Sequence, residues 1–407
     1  MSDNIIALRC YSVMGCKKEL NKGVDMMNVI ENIEARINQK ITSIIKFNPE
    51  KHNYNISVPY DCFAIMLRLK YDPEYYISIT ADHDSGRYGF EELDHEMGDY
   101  IAGHEIPYYE YYDGYIVRLD KRESVYKKDL KETVTITASS AVHESEVYTI
   151  HITRSANKKI RNLFKLNTYH DEEFDLNMPY ELYVPSDYDP KNKYPVMIAL
   201  HGTGERMEPT EAILQKMAMA TCWAEDSEKG HNKCIVIAPQ CIIKYDEDDN
   251  WTTVNQFVHK RTESPFYSMP QLKTVWKILN EIISKYSVDK TRLYLTGTSS
   301  GGFGAYELAM DHPKTFAAII AVSCACNPAK LDKINDIPVW VFHADDDPIM
   351  DPSWTLDPLL PLMEKAGINF KLTRYPKGHI FWQSGHFCWE VCYHDKSMRD
   401  WVFQQSR

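Results

Sequence analysis

Positive charge, cysteine and long apolar runs are all scarce in this sequence. The formal net charge is -12, which argues against nucleic acid or an anionic membrane as the main partner. Ten cysteines in 407 residues are too few for a disulfide-rich scaffold, so we expect mostly free thiols. No run reaches transmembrane length, and residues 1–9 lack the basic segment that opens a signal peptide. We therefore expect a cytoplasmic protein, or a secreted one if a leader has been removed.

The chain is long enough for two domains, and a polar linker at residues 155–159 is the expected boundary. In the first part, apolar residues near helical spacing predict an amphipathic helix over residues 24–41. Several short strands follow and indicate a β-sandwich over residues 1–160. They are predicted at residues 41–45, 54–58, 63–69, 75–80, 115–119, 133–138 and 147–153. Residues 54–59 and 148–154 resemble the edges of immunoglobulin-like or cadherin-like sandwich domains.

Two groups of side chains in this sequence superficially suggest a metal site. One lies in the acidic, aromatic stretch 82–113 and comprises His83, Asp84, Asp94, His95 and His104. The other lies near the end of the chain and comprises His386, Cys388, Cys392 and His394. Neither spacing matches a known metal site, so we interpret the first as a solvated loop and the second as thiols on a helix face. We expect neither a metal ion nor a cofactor.

From residue 161 onward, near-continuous apolar runs alternate with helix-like segments. The runs are residues 194–200, 234–239, 292–296, 317–322 and 339–343, and the helical segments are 210–223, 269–286 and 354–366. Strands that are buried on both faces have this composition. The alternation predicts an α/β domain over residues 161–407 with a doubly wound, mostly parallel sheet. Active sites of such sheets lie beyond the carboxyl ends of the strands.

The motif Gly297-Thr298-Ser299-Ser300-Gly301 ends one of these apolar runs and precedes a helix-like segment. A Gly-x-Ser-x-Gly motif between a strand and a helix is typical of a nucleophile elbow. The glycines allow a sharp, strained turn and the close approach of a substrate. We therefore predict that Ser299 is a nucleophile.

A glycine-rich turn, His201-Gly202-Thr203-Gly204, directly follows the strand at 194–200. Such a turn can direct a backbone N–H at a developing oxyanion, while the residue after the nucleophile supplies a second N–H. The predicted oxyanion donors are therefore the amides of Thr203 and Ser300.

Four carboxylates crowd the loop after the strand at 339–343, and a triad needs one of them. We predict that Asp347 is the acid because it precedes the short apolar turn at 348–350, with Asp346 as the second choice. We expect Asp345 and Asp351 to face solvent.

Two histidines compete for the role of base, because His379 and His386 each follow a glycine in the loop after the strand at 370–375. His394 is a weaker candidate. Spacing does not separate the first two. Either choice gives the order Ser, Asp, His, which is the order of α/β-hydrolases.

Residues 165–402 resemble α/β-hydrolase esterases of the polyhydroxybutyrate-depolymerase-like and feruloyl-esterase-like group, several of which carry an N-terminal immunoglobulin-like domain. The matching segments are residues 179–185, 200–206, 238–241, 294–302 and 385–393. The last segment fits the histidine loop of that group and implies His386 as the base. The resemblance also implies that Trp251 binds substrate by lining the acyl pocket, although a core tryptophan fits equally well.

Three features of the sequence depart from the pattern of this group. Ser300 replaces a usual methionine, Ala344 replaces a usual glycine, and residues 380–384 form an insertion before the histidine. The first change is minor because the oxyanion donor is a backbone N–H.

These features together predict a serine carboxylesterase that forms an acyl-enzyme. The resemblance implies acyl esters of plant cell-wall carbohydrate, feruloyl or acetyl, as substrates. The alternatives are a serine peptidase of the prolyl-oligopeptidase type and a non-catalytic carbohydrate-binding protein. Residues 1–160 are too few for the propeller of such a peptidase. Three roles are open to the first domain, namely binding glycan, shaping the rim of the active site, or forming contacts in a homodimer.

Overall fold

The structure is a computed structural model. It describes residues 29–37, 40–42, 46–60, 62, 64–72, 74–82, 115–119, 129–141, 143–206, 218–242, 251–252, 269–380 and 384–407. The described residues form two compact units, one ending at Ala156 and the other beginning at Asn157. The candidate metal ligands between His83 and His104 lie outside the described residues.

The described residues of the first unit form eight strands in two four-stranded sheets. The strands are β1 (Ile30–Ile37), β2 (Lys40–Thr42), β3 (Asn53–Val58), β4 (Ala64–Tyr71), β5 (Tyr76–Ala81), β6 (Tyr115–Arg118), β7 (Leu130–Ser139) and β8 (Glu146–Arg154). One sheet has the order β2-β1-β4-β6 and the other β3-β8-β7-β5. Buried side chains from both sheets belong to one hydrophobic cluster. Strands β3 to β8 occur where the sequence predicts strands.

The helix predicted over residues 24–41 is wrong for the part that the structure describes. Ile30–Ile37 is strand β1, which pairs in antiparallel register with β2 and β4. Its buried residues Ile33, Ala35 and Ile37 alternate with more exposed ones, as the period of a strand requires. The spacing of Ile30, Ile33 and Ile37 also fits a helix, so periodicity alone is ambiguous here.

The second unit contains an eight-stranded sheet with the order β16-β15-β14-β13-β11-β12-β10-β9. Its strands are β9 (Phe164–Asp171), β10 (Leu176–Tyr183), β11 (Tyr194–Leu200), β12 (Ile235–Pro239), β13 (Val288–Thr298), β14 (Ala318–Val322), β15 (Val339–Ala344) and β16 (Phe370–Tyr375). Strands β11 to β16 are parallel to one another. Strand β10 pairs in antiparallel register with β12 on one side and with β9 on the other. The sheet is therefore mixed and mostly parallel.

Helices accompany the strands of this sheet. They are α1 (Lys158–Leu163), α2 (Ala218–Glu228), α3 (Pro270–Lys285), α4 (Ser300–Asp311), α5 (Leu359–Lys365), α6 (Trp389–Cys392) and α7 (Lys396–Phe403). Every residue of β11, β12, β14 and β15 is buried. Continuous apolar sequence is what strands covered on both faces require. Because parallel strands end at one edge of the sheet, the segments after β11, β13, β14 and β15 lie close together.

The segment where β13 is followed by α4 packs directly against the end of β11, with main chain in contact with main chain. A Cβ atom at Gly301 would overlap the carbonyl oxygen of Leu200, and one at Gly297 would overlap the carbonyl oxygen of Gly301. Only glycine fits at these two positions, because the neighbouring atoms are backbone and cannot rotate away.

We expect Gly301→Ala to lower the free energy of unfolding by about 3 kcal/mol or more, since the methyl group forces backbone apart. Gly204→Ala is the matched control, because no heavy atom lies within 4 Å of its added Cβ. Its effect should stay within about 0.5 kcal/mol. The free energies are measured by urea unfolding of the full chain, and equal effects for the two variants would contradict the close approach.

Candidate active site

Ser299 lies at the junction of β13 and α4 in a strained conformation. Its φ of 50° and ψ of -123° fall where residues other than glycine are rare. Its N–H donates to the carbonyl of Val322 at 2.9 Å, and its own carbonyl accepts from the N–H of Gly302 at 2.9 Å. These bonds hold the turn sharp and leave the hydroxyl at its tip, as a nucleophile elbow requires.

The structure brings His386 and Asp347 to Ser299. His386 Nε2 lies 3.1 Å from Ser299 Oγ, and His386 Nδ1 lies 3.0 and 2.9 Å from the two carboxylate oxygens of Asp347. Because Nδ1 faces a carboxylate, it carries the proton and donates it. Nε2 is then free to accept the hydroxyl proton of Ser299.

Asp347 is buried, yet its surroundings favour the ionised form. Burial raises the pKa of this carboxyl group, but the charge and hydrogen bond of His386 and the nearby His343 outweigh burial and bring the pKa below its ordinary value. The backbone N–H groups of Ile349 and Met350 also donate to Asp347 Oδ1, at 3.0 and 2.8 Å. A charged Asp347 can therefore stabilise an imidazolium at His386.

The second choice of acid, Asp346, and the two carboxylates that were expected to face solvent make other contacts in the same loop. Asp346 accepts the N–H of Gly378 at 2.7 Å, and burial raises the pKa of its carboxyl group. Asp345 pairs with Arg374, and Asp351 accepts the N–H of Ser353 at 2.8 Å.

His379 and His394, the other candidate bases, occupy different positions from His386. The ring of His379 stacks on Tyr375 with centroids 5.1 Å apart. His394 Nδ1 lies 2.7 Å from the carbonyl of Glu390, within the last turns of the chain.

The turn after β11 is held by a fully buried His201. The N–H of Cys241 donates to His201 Nε2 at 2.9 Å, so the proton of the ring is on Nδ1, which donates to the carbonyl of Gly202 at 2.7 Å. This carbonyl shares a trans peptide with the N–H of Thr203, and the two groups point in opposite directions. The contact therefore directs the Thr203 N–H away from His201. Sequence reasoning missed this role, because Cys241 is 40 residues away.

Gly202 places this turn beside the serine. A Cβ atom added to Gly202 would lie 3.5 Å from Ser299 Cβ. Ser300 is the first residue of α4, where backbone N–H groups have no partner within the helix. The amides of both predicted oxyanion donors thus belong to segments that flank Ser299.

Trp251 is completely buried and supports the same turn. Its Nε1 donates to the carbonyl of His201 at 2.9 Å, and its ring meets that imidazole edge to face at 5.1 Å. The structure thus assigns Trp251 a packing contact, and its predicted role in lining the acyl pocket stays a prediction.

His343, at the end of β15, fixes the acid loop. It is fully buried, its Nε2 donates to the carbonyl of Met350 at 2.6 Å, and the same nitrogen lies 3.7 Å from Asp347 Oδ2. Burial lowers the pKa of His343 despite the opposing charge of Asp347. Sequence reasoning had no signal for this contact beyond a histidine at the end of an apolar run.

Within the described ranges, no group of three or more His, Cys, Asp or Glu side chains is arranged to hold a metal ion. Cys388 and Cys392 are buried free thiols, as are the other cysteines in this part of the chain. No helix among the described residues is both long and apolar enough to cross a membrane.

We expect the buried His201 to make the protein less stable in mild acid. Burial lowers the pKa of its imidazole from 6.5 to about 4. Between pH 6.5 and about 4, His201 is protonated in the unfolded chain but neutral in the folded chain. The free energy of unfolding therefore decreases as the pH falls from 6.5 to about 4. The loss reaches about 3 kcal/mol, since one pKa unit corresponds to about 1.4 kcal/mol.

The measurement is the free energy of urea unfolding against pH for the wild type and His201→Asn. The variant should lack this part of the pH dependence. NMR titration of the imidazole signals provides a direct check, and titration of His201 near pH 6.5 would contradict the expectation.

Comparison with known proteins supports the fold of the second unit and its membership of an esterase family. The model of the Esterase family matches residues 171–399, more than half of the chain. S-formylglutathione hydrolase from Rattus norvegicus is 29% identical over 183 residues, which cover 43% of this chain and 61% of that protein.

Among solved structures, one supports the fold. The crystal structure of a thermostable esterase aligns with a TM-score of 0.58 and 24% identity, covering 87% of this chain and 99% of that one. A ferulic acid esterase aligns with a TM-score of 0.42 and 16% identity, covering 59% of this chain and 98% of that one. The chain belongs to the Esterase family, and its second unit has the mixed, mostly parallel sheet of an α/β-hydrolase-like fold.

Proposed function

We propose that this chain is a serine carboxylesterase that uses Ser299, His386 and Asp347 as a catalytic triad. The observation that carries the proposal is the position of one imidazole. His386 Nε2 is 3.1 Å from the Ser299 hydroxyl, while Nδ1 is within 3.0 Å of both oxygens of Asp347. Membership of the Esterase family supports the reaction class.

In this mechanism, Ser299 Oγ attacks the ester carbonyl and transfers its proton to His386 Nε2. Asp347 holds the imidazole tautomer and stabilises the imidazolium. The N–H groups of Thr203 and Ser300 donate to the tetrahedral oxyanion, each contributing about 3 kcal/mol to its stabilisation. His386 then gives the proton to the leaving alcohol, and an acyl-enzyme remains on Ser299.

Hydrolysis of the acyl-enzyme repeats these steps with water. His386 accepts a proton from the water as it attacks the acyl carbonyl, and the same two N–H groups bind the second oxyanion. Collapse of this intermediate returns the proton to Ser299 Oγ and releases the acid. No metal or cofactor takes part in these steps.

We propose small acyl esters as substrates, with feruloyl or acetyl esters of plant cell-wall carbohydrate as the first class to test. The support is the resemblance of the motifs around Gly297 and His386 to feruloyl-esterase-like sequences. The similarity to an S-formylglutathione hydrolase adds a second class, thioesters, because the same triad attacks either carbonyl. A peptide substrate tests the prolyl-oligopeptidase alternative.

We propose that residues 1–160 form a β-sandwich domain ahead of a catalytic domain at 161–407. The support is that both sheets of the first unit contribute to one hydrophobic cluster. The thermostable esterase aligns with 87% of the chain, which is more than residues 157–407 alone can provide. Binding glycan, shaping the active-site rim and forming a homodimer stay open as roles of this domain.

We expect Ser299→Ala and His386→Gln each to lower kcat for p-nitrophenyl acetate and methyl ferulate by roughly 10⁴-fold or more, since each removes a member of the triad. His379→Gln is the matched control, because its ring stacks on Tyr375. It should keep kcat within about threefold of the wild type, a change below roughly 1 kcal/mol. Steady-state kinetics of the four proteins provide the measurement.

Two results would contradict the assignment. Loss of activity in His379→Gln with activity kept in His386→Gln would move the base to His379. A wild type inactive on the esters, the thioester and the peptide, but able to bind xylan or another plant polysaccharide, would favour the carbohydrate-binding alternative.

A further inference from the structure

Ser323, which directly follows β14, has an unusual conformation for a buried serine. Its φ is 49°, in the left-handed region that favours glycine, and its side chain is fully buried. Strain of this kind persists only where surrounding contacts impose it, and it is concentrated at functional sites. A glycine would relieve the strain, whereas the serine adds a hydroxyl group.

The hydroxyl of Ser323 contacts the backbone of the proposed base. Ser323 Oγ donates to the carbonyl of His386 at 2.8 Å and lies 3.1 Å from Cys388 Sγ. Burial raises the pKa of the Cys388 thiol, which therefore keeps its proton and can donate to Ser323 Oγ. The single proton of the serine is then directed at the His386 carbonyl.

The residue before Ser323 holds the nucleophile. The carbonyl of Val322 accepts the N–H of Ser299 at 2.9 Å, and the N–H of Ser323 donates to the carbonyl of Phe342 in β15 at 2.9 Å. Two consecutive residues at the end of β14 therefore bond to the backbones of Ser299 and His386. The left-handed turn at Ser323 is part of this arrangement.

The main chain of His386 is also bonded through its N–H. Its N–H donates to Ser384 Oγ at 3.3 Å, a longer bond than the one to Ser323. Its side chain must nevertheless meet Ser299 and Asp347 at once. A displacement of about 1 Å in such an arrangement reduces rates by about 10²-fold.

We propose that Ser323 is a positioning residue, whose hydroxyl holds the His386 carbonyl so that the imidazole stays within hydrogen-bond distance of Ser299. The inference rests on the proposed triad. Ser323 acts through His386 and has no contact with the reacting atoms in this scheme.

Two substitutions separate this role from a purely structural one. Ser323→Ala removes the hydroxyl and keeps the strain, whereas Ser323→Gly removes the hydroxyl and relieves the strain. We expect kcat for p-nitrophenyl acetate to fall about 10- to 100-fold in both variants, with KM changed less than threefold. Ser323→Cys, which keeps a weak donor, should recover part of kcat.

The melting temperature and the pH dependence of kcat/KM distinguish positioning from a purely structural role, because a loss of stability alone would not change the pH dependence. Ser323→Gly should melt at or above the temperature of Ser323→Ala and still be impaired. The acidic limb of the kcat/KM profile should move to lower pH, because a displaced imidazolium loses part of its contact with Asp347. Lys314→Gly is the matched control, since Lys314 is exposed and has a φ of 63°, and its kcat should equal that of the wild type.

A Ser323→Gly variant with wild-type kcat and pH profile would overturn the proposal. If the wild type itself hydrolyses none of the substrates, the proposed function fails, and the positioning role is then tested by proton NMR. The low-field signal of the His386 Nδ1–H, which faces Asp347, should be present in the wild type and Lys314→Gly and weakened or shifted in Ser323→Gly. An unchanged signal would contradict the positioning role independently of activity.

Discussion

The arrangement of the whole site depends on close main-chain contacts at the junction of β13 and α4. Side chains at Gly297 and Gly301 would overlap main-chain oxygen atoms, so two glycines let this turn pass against the end of β11. The approach sets Ser299 at the tip of a strained turn, with Gly202 beside it. Strain at one residue is tolerated because the fully buried parallel strands on either side cannot shift to relieve it.

Three buried or nearly buried histidines behave differently because their partners differ. His201 and His343 each donate to a backbone carbonyl, and burial lowers the pKa of both, so they stay neutral and serve as fixed hydrogen-bond donors. His386 instead has Nδ1 within 3.0 Å of both carboxylate oxygens of Asp347, whereas His343 lies 3.7 Å from the nearer one. Two neutral imidazoles therefore hold the turn after β11 and the loop after β15, and the third is the one that lies beside Ser299, as the proposed triad requires.

Sequence reasoning could identify features that lie next to the end of a single strand. Ser299, Asp347 and the turn at Thr203 each follow an apolar strand directly, so the end of a parallel sheet predicts their neighbourhood. The choice between His379 and His386 was not accessible from spacing, because both follow glycine in the same region of the chain. Their difference is tertiary, since one ring stacks on Tyr375 and the other reaches the serine.

The predicted helix at 24–41 failed for a related reason. Ile30, Ile33 and Ile37 satisfy the period of a helix, while Ile33, Ala35 and Ile37 satisfy that of a strand. The pairing of β1 with β4 and β2 selects the strand over the helix. Strand β4 is distant in the sequence, so this pairing does not affect the local periodicity of residues 30–37.

Contacts that position the site are the least visible in the sequence. Ser323 and His386 are 63 residues apart, and Trp251 is 50 residues from the carbonyl that it supports. Each acts on a main-chain carbonyl, and what such a carbonyl requires is a donor at the right place rather than a particular side chain. A motif records residues that react, whereas a donor of this kind can come from any segment that the fold brings near. The same logic applies to the proposed oxyanion donor at Ser300, because the proposed donor is a backbone N–H that every residue except proline possesses.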